Sequence, residues 1–180
     1  FTGQEWKSDA AVITENNKVA DVMSISDLPA GIEVVKHGDI LAPAFIDIQI
    51  YGASSRLFAV YPVPDSLDKL REHCCKGGTK YFLPTIATNT YEVFKKGIDA
   101  VREYWEKGGA GVLGLHIEGP WINAKKRGAH IEKFIHSPDL SEVKYLVEYG
   151  KGVIKMITLA PEVCTKKIID YVKSQDIILS

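Results

Sequence analysis

The chain of 180 residues is long enough to bury a sizeable core, and its 22 Lys and Arg nearly balance its 23 Asp and Glu. That balance gives neither the basic footprint of a nucleic-acid binder nor an acidic tail, and no apolar run approaches the ~20 residues needed to cross a bilayer, so neither nucleic acid nor membrane is expected as a partner. Adjacent Cys74 and Cys75 and isolated Cys164 fit neither a disulfide framework nor paired metal ligands; with no signal-peptide pattern in Phe1 to Lys7, a reducing, cytoplasmic setting is expected.

The first ~40 residues read as a few antiparallel strands, too few to close a core. Ala11-Val12-Ile13 and Val19-Ala20-Asp21-Val22 flank Asn16-Asn17, which tolerate a left-handed turn, and a further short strand is predicted at Ile32-Glu33-Val34-Val35 before a turn at His37-Gly38-Asp39. From Pro43 the pattern changes. Ala44 to Gly52 is a buried-strand candidate; Pro64 and a capping Asp65 open a helix with Leu67, Leu70 and Cys74 on one face, ended by Gly77-Gly78. Lys80 to Thr88 is the second strand, and a helix from Asn89 or Thr90 carries Phe94, Ile98, Val101 and Trp105 as one stripe, closed by Gly108-Gly109. The third strand, with apolar Val112, Leu113, Leu115 and Ile117, ends in Glu118, where Gly119 and Pro120 stop it. A long loop follows. Asp139 with Glu142 then caps a helix burying Leu140, Val143, Leu146 and Val147. Val153 to Ala160 is the fourth strand, a helix from about Val163 buries Cys164, Ile168 and Val172, and a fifth strand begins at Asp176-Ile177-Ile178-Leu179.

Strand and helix alternate four times at ~30 to 40 residues per unit, the size of a βαβ repeat, which argues for an α/β fold with a parallel sheet. A closed (β/α)8 barrel usually takes ~250 residues, so the chain would supply its first half: residues 1–40 as part of a small β domain, and 41–180 as the truncated barrel. The unfinished strand at Ser180, and Phe1 in place of an initiator Met, make a polypeptide of about twice this length the expectation.

No phosphate-binding glycine fingerprint and no G-x-S-x-G nucleophile elbow is present. What remains is a set of polar residues at strand ends, where the loops of parallel α/β folds converge on one cavity. Glu118 is either a ligand or catalyst there, or a solvated acid ending a strand. Asp47 and Gln49, two apart on the first strand, face the same way, as site residues or as a hydrogen-bonded core pair. His116 shares the face of Glu118 and is either a ligand or a buried histidine bonded within the sheet. Thr85 and Thr88 end the second strand and satisfy backbone groups. His130 lies in the loop Asn123 to His130, able to fold over whatever Glu118 holds; the Lys125-Lys126-Arg127 run meets an anionic substrate or is solvated. His37, His73 and His136 read as surface or structural.

Four motifs in order, Ala42-Pro43-Ala44-Phe45-Ile46-Asp47 with Gln49 and Gly52, Leu115-His116-Ile117-Glu118-Gly119-Pro120-Trp121, Lys126-Arg127-Gly128-Ala129-His130 and Thr158-Leu159-Ala160-Pro161-Glu162, together resemble the N-acetylglucosamine-6-phosphate deacetylase family of the amidohydrolase superfamily. The resemblance implies a metal-dependent (β/α)8 TIM barrel with a small β-sandwich domain built from both chain ends. It implies hydrolysis of the N-acetyl amide of N-acetylglucosamine 6-phosphate to glucosamine 6-phosphate and acetate, in amino-sugar catabolism, by a water activated on one divalent metal ion, zinc or iron. Glu118 inherits the role of metal ligand and His130 that of contact to the N-acetyl sugar; the remaining ligands, two His, and the catalytic Asp are expected beyond Ser180, so these 180 residues alone should be inactive. A homodimer is expected from the family.

Two departures matter. The His-x-His that ends the first strand of many amidohydrolases is replaced by Gln49 and Tyr51, which points to a single-metal site. The usual glycine-rich turn is replaced by Gly52-Ala53-Ser54-Ser55, which changes the expected local loop. The alternative readings are another amidohydrolase, an imidase or nucleobase deaminase, disfavoured by the missing His-x-His, and a non-catalytic barrel that binds sugar phosphates.

Overall fold

The computed structural model describes residues 1–35 and 38–180, so the turn expected at His37 lies outside the described residues. The chain divides into two compact units, Phe1–Ala44 and Phe45–Ser180.

The first unit is built on one hairpin, β1 (Ala10–Glu15) against antiparallel β2 (Lys18–Ser24), with Asn16 and Asn17 at φ 50° and 60° making the expected two-residue turn. A 3-10 turn, Ile25–Asp27, follows. The strand expected at Ile32 to Val35 does not form: those residues are exposed and pair with no other strand among the described residues. Alternating apolar residues alone do not make a strand when no partner edge is at hand.

The second unit alternates strand and helix. β3 (Phe45–Ile50) is followed by a hairpin of β4 (Gly52–Ala53) and β5 (Arg56–Leu57), then α1 (Pro64–Lys76), β6 (Thr79–Ala87), α2 (Tyr91–Glu106), β7 (Leu115–Glu118), α3 (Leu140–Tyr149), β8 (Ile154–Thr158), α4 (Lys166–Ser174) and β9 (Ile178–Leu179). The parallel sheet has the order β3-β6-β7-β8-β9, so each strand lies beside its predecessor in sequence. Right-handed crossovers added in one direction put all four helices on one face, and the sheet curls around the other. The core fills the helix face: Leu67, Leu70, Phe82, Ile86, Phe94, Ile98, Ile117 and Ile157 are fully buried there. At Gly97 of α2 a Cβ would lie 2.3 Å from Ile86 Cδ1, so the glycine lets the helix pack against β6 there.

Helix boundaries follow local chemistry. Pro64 takes the first position of α1 and Val63 the cap, so Asp65 lies within the first turn, paired with Arg56 and 3.8 Å from Lys69, rather than capping. Thr90 Oγ1 caps α2 by accepting the Val93 N–H at 3.4 Å, and Asp139 with Glu142 forms the expected capping box on α3. A 3-10 turn at Pro161–Val163 delays α4 to Lys166, leaving Cys164 only partly buried. β7 is shorter than the apolar run around it. Val112 makes only an isolated bridge to Phe82 and Leu113 is 41% exposed, because the run precedes the strand instead of lying in it. The departure at Gly52 to Ser55 is a tight hairpin whose two serines take φ 51° and 61°.

Candidate functional site

The face of the sheet away from the helices carries the polar strand-end residues. In the parallel register Thr85, His116 and Met156 lie abreast, and two residues on Ala87, Glu118 and Thr158 lie abreast. His116 is 2% exposed and both ring nitrogens are engaged: Nδ1 donates to the Ile48 carbonyl at 2.9 Å, and Nε2 accepts the Thr158 hydroxyl at 2.8 Å. Burial holds its pKa below the usual histidine value, which fits a neutral ring. His116 is therefore a strut joining β3, β7 and β8, not a free ligand.

Glu118 ends β7 with its side chain 15% exposed. Its carboxylate accepts from Gln49 Nε2 at 3.1 Å and from the Tyr51 hydroxyl, and Tyr51 accepts a second Gln49 amide hydrogen at 2.7 Å. Burial first, then the hydrogen bond to Glu118, pushes the Tyr51 phenol up to about 12, so Tyr51 stays a donor at neutral pH. His130 Nε2 stands 3.7 Å from Glu118 Oε1, an ion pair when the ring is protonated, and His130 Nδ1 is 2.7 Å from Thr88 Oγ1. Two residues twelve positions apart in sequence thus meet in space.

Asp47 is not brought to this cluster, contrary to the expectation that it shares a face with Gln49. Asp47 stands opposite Phe82 and Ile50 opposite Pro84, three steps on β3 against two on β6. This one-residue bulge reverses the alternation. Asp47 falls on the side of α1, where its charge helps raise the Cys74 thiol pKa after burial, and its Oδ1 accepts the Gln49 N–H at 2.9 Å. Gln49 faces Glu118.

The loop from Glu118 to His130 is tied at several points. Gly119 takes φ +75°, and a Cβ there would lie 2.2 Å from Thr88 Oγ1. Trp121 is fully buried and donates its indole N–H to Glu142 at 3.0 Å, while Asn123 Nδ2 donates to Glu162 at 2.8 Å. Arg127 donates to the His130 carbonyl at 3.0 Å and pairs with Glu132 at 3.4 Å; Lys125 is exposed. Beside this loop an open groove of about 460 Å³ is lined by Asn123, Lys126, Arg127, His130 and Glu162 among others. Tyr51 and Thr88 are the site residues that sequence reasoning undervalued. Tyr51 entered only as a missing histidine and Thr88 only as a backbone partner; the position of each at the end of a parallel strand was the available signal.

Among the described residues no three His, Cys, Asp or Glu side chains are grouped to hold a metal ion. Glu118 fits one ligand position: its two carboxylate oxygens offer about four acceptor sites, and the partners around them, an amide, a phenol and an imidazole, leave room for a further bond.

No protein-family model matches the chain. N-acetylglucosamine-6-phosphate deacetylase of Haemophilus influenzae is 30% identical over 177 residues, 97% of this chain and 46% of that relative. N-acetylgalactosamine-6-phosphate deacetylase of Escherichia coli O157:H7 is 27% identical over 166 residues, 90% of this chain and 42% of that relative. The crystal structure of N-acetylglucosamine-6-phosphate deacetylase from Pasteurella multocida matches with a TM-score of 0.85 at 29% identity, covering 99% of this chain and 47% of that one. The chain spans less than half the length of the curated relatives it matches. Over its own length it is similar, in sequence and in fold, to a part of the N-acetylglucosamine-6-phosphate deacetylases, as the four motifs imply.

Proposed function

We propose that this chain is the part of a metal-dependent N-acetylglucosamine-6-phosphate deacetylase that supplies Glu118 as a metal ligand and His130 as the contact to the substrate's N-acetyl group. The observation that carries the reading is the approach of His130 Nε2 to within 3.7 Å of Glu118 Oε1 at the end of a singly wound parallel sheet. On this reading the five strands of the second unit are the first part of a (β/α)8 barrel, and residues 1–40 contribute to a small β-sandwich domain.

One divalent ion, zinc or iron, is held by Glu118 together with ligands from the remainder of the polypeptide, which also carries the catalytic Asp. Such an ion would supply a Lewis acid for the amide carbonyl and would lower the pKa of a bound water towards neutrality. This chain's own residues orient and exclude. Gln49 and Tyr51 hold the Glu118 carboxylate from one side by hydrogen bonds, so its direction is set before any ligand arrives. His130 offers a ring nitrogen to the acetyl oxygen from the other side, and the loop Asn123 to His130 covers the strand ends. The chain alone is inactive, since one carboxylate does not hold a catalytic metal. The enzyme works in the cytoplasm and as a homodimer.

The similarity to an N-acetylgalactosamine-6-phosphate deacetylase favours a second reading of the sugar, with the same chemistry on the C4 epimer. Both are tested by acetate release from the complete polypeptide on N-acetylglucosamine 6-phosphate, N-acetylgalactosamine 6-phosphate and unphosphorylated N-acetylglucosamine, beside Glu118→Gln. Preference for the first sugar, lost with bound metal in Glu118→Gln, is the expected result. Preference for the second establishes the epimer, and full activity and metal content in Glu118→Gln overturn the ligand assignment.

A further inference from the structure

Thr88 follows the last residue of β6 and is 2% exposed, yet its hydroxyl is not spent within its own strand. Oγ1 lies 2.7 Å from His130 Nδ1 and 3.4 Å from the Glu118 carbonyl oxygen. A hydroxyl has one proton, so Oγ1 donates either to Nδ1 or to the carbonyl, and only in the second case does it also accept from an Nδ1–H. If the proton went to the carbonyl, Nδ1–H would donate to Thr88, and a neutral His130 would turn the lone pair of Nε2 towards the Glu118 carboxylate 3.7 Å away. If the proton goes to Nδ1, the Nε2–H faces the carboxylate instead. For a neutral ring the negative carboxylate beside Nε2 favours an N–H over a lone pair there, which selects the second arrangement.

The chain is shaped around this hydroxyl. Gly119 leaves only a hydrogen where a Cβ would sit 2.2 Å from Oγ1, so the residue after Glu118 makes the space that Thr88 occupies. The backbone of His130 is held separately, its N–H donating to the Arg127 carbonyl at 3.0 Å and its carbonyl accepting from Arg127 at 3.0 Å. With the backbone fixed from the loop, the Thr88 contact determines the ring's rotation and which nitrogen carries the proton.

We infer that Thr88 is a positioning residue, which donates to His130 Nδ1 and so holds the Nε2–H of the neutral ring as a donor beside Glu118. It touches neither substrate nor metal. The inference rests on the proposed role of His130 for its functional meaning, but not for its geometry. In the reaction, a fixed Nε2–H meets the amide oxygen without reorienting, and a misplacement of about 1 Å at such a donor costs about 100-fold in rate.

The test compares Thr88→Val, nearly isosteric but without the hydroxyl, and Thr88→Ser, which keeps it, in the complete polypeptide. Two readouts are used: 15N spectra of the imidazoles, assigned with His130→Asn, and the separate kcat and KM for acetate release. The parent should show His130 as the Nε2–H tautomer with a hydrogen-bonded Nδ1. Thr88→Val should lose that Nδ1 signature and drop kcat by about 10- to 100-fold with KM changed far less, while Thr88→Ser stays within about 3-fold of the parent. Should Thr88→Val fold poorly, Thr88→Ala carries the same expectation. An Nδ1–H tautomer in the parent, or an unchanged Nδ1 resonance in Thr88→Val and Thr88→Ala, overturns the inference. If the resonance moves as expected but the parent releases acetate from no sugar phosphate, the positioning stands and the proposed function falls.

Discussion

Removing the Glu142 carboxylate should destabilise the fold far more than an ordinary substitution on a helix. Glu142 is in the first turn of α3 and closes the capping box, but its Oε1 also accepts from the Trp121 indole, the Tyr91 hydroxyl and His136 Nε2. Trp121 is fully buried, so in Glu142→Ala its N–H is stranded, at about 1–3 kcal/mol. Tyr91 is only partly buried and can turn towards water, which limits its share to about 1 kcal/mol. The His136 pair has a side chain 42% exposed, and screening leaves it about 0–1 kcal/mol. The expected loss is about 2–5 kcal/mol for Glu142→Ala and about 1 kcal/mol for Glu142→Gln, which keeps an acceptor in place. Urea unfolding followed by tryptophan fluorescence measures it, and a double-mutant cycle with Trp121→Phe isolates the indole contribution. A cost for Glu142→Ala within about 0.5 kcal/mol, the range of a neutral surface change, refutes the reasoning.

The same cluster sets a pH dependence. For His136, burial alone would lower the pKa, but the Glu142 hydrogen bond and the Phe134 carbonyl outweigh it and the pKa is raised above the ordinary 6.5. Its contribution is therefore complete below 6.5 and is lost as pH rises through the folded value. For Glu142, burial is outweighed by donors from Tyr91, Trp121 and His136, and the pKa falls below the ordinary 4.5. Its contribution is complete above 4.5 and is lost as pH falls through the folded value. The stability difference between parent and Glu142→Gln should thus be greatest between the ordinary values, 4.5 and 6.5, and shrink on both sides.

Two further substitutions test the strand ends. Gly119→Ala forces a Cβ into the left-handed region, at about 1–2 kcal/mol, and against Thr88 Oγ1, so the melting temperature should fall by about 5–10 °C; adding Thr88→Ala should recover the steric part, and no recovery would mean that Thr88 is not what Gly119 accommodates. Gln49→His with Tyr51→His puts two imidazoles beside the Glu118 carboxylate, where the amide and phenol now stand, and on the proposed single-metal reading should raise the bound divalent metal of the complete polypeptide by one equivalent; unchanged stoichiometry by elemental analysis sinks the view that these two residues exclude a second metal.

Most of the sheet and helices were legible because their signals are local. Phe94, Ile98 and Val101 are buried as the helical period requires, although Tyr104 takes the buried place expected for the half-buried Trp105, and Asp139 with Glu142 announced α3 by their capping box. What failed depended on partners that periodicity does not contain. Ile32 to Val35 reads like a strand but joins no edge among the described residues, and Leu113 belongs to an apolar run but precedes the ladder. His136 is structural and Glu142 caps α3, as read, but the bonds joining them to Tyr91 and Trp121 span separate elements and leave no local signal.

The strand-end cluster was legible in its residues and misread in its geometry, for a reason confined to β3. Glu118 and His130 were found by their motifs, and strand-end convergence makes their meeting unsurprising. Gln49 reaches Glu118 only because β3 gains a residue on β6 between Asp47 and Ile50. Within the same irregular segment the Ile48 carbonyl meets His116, so the stretch that breaks the ladder also supplies the acceptor that the buried imidazole needs. In a regular strand Gln49 would lie on the side of Asp47, against α1, and the Glu118 carboxylate would lose its amide partner. Bulge, strut and carboxylate are therefore one arrangement: the irregularity that defeats the period-2 reading is what aims the first strand at the site.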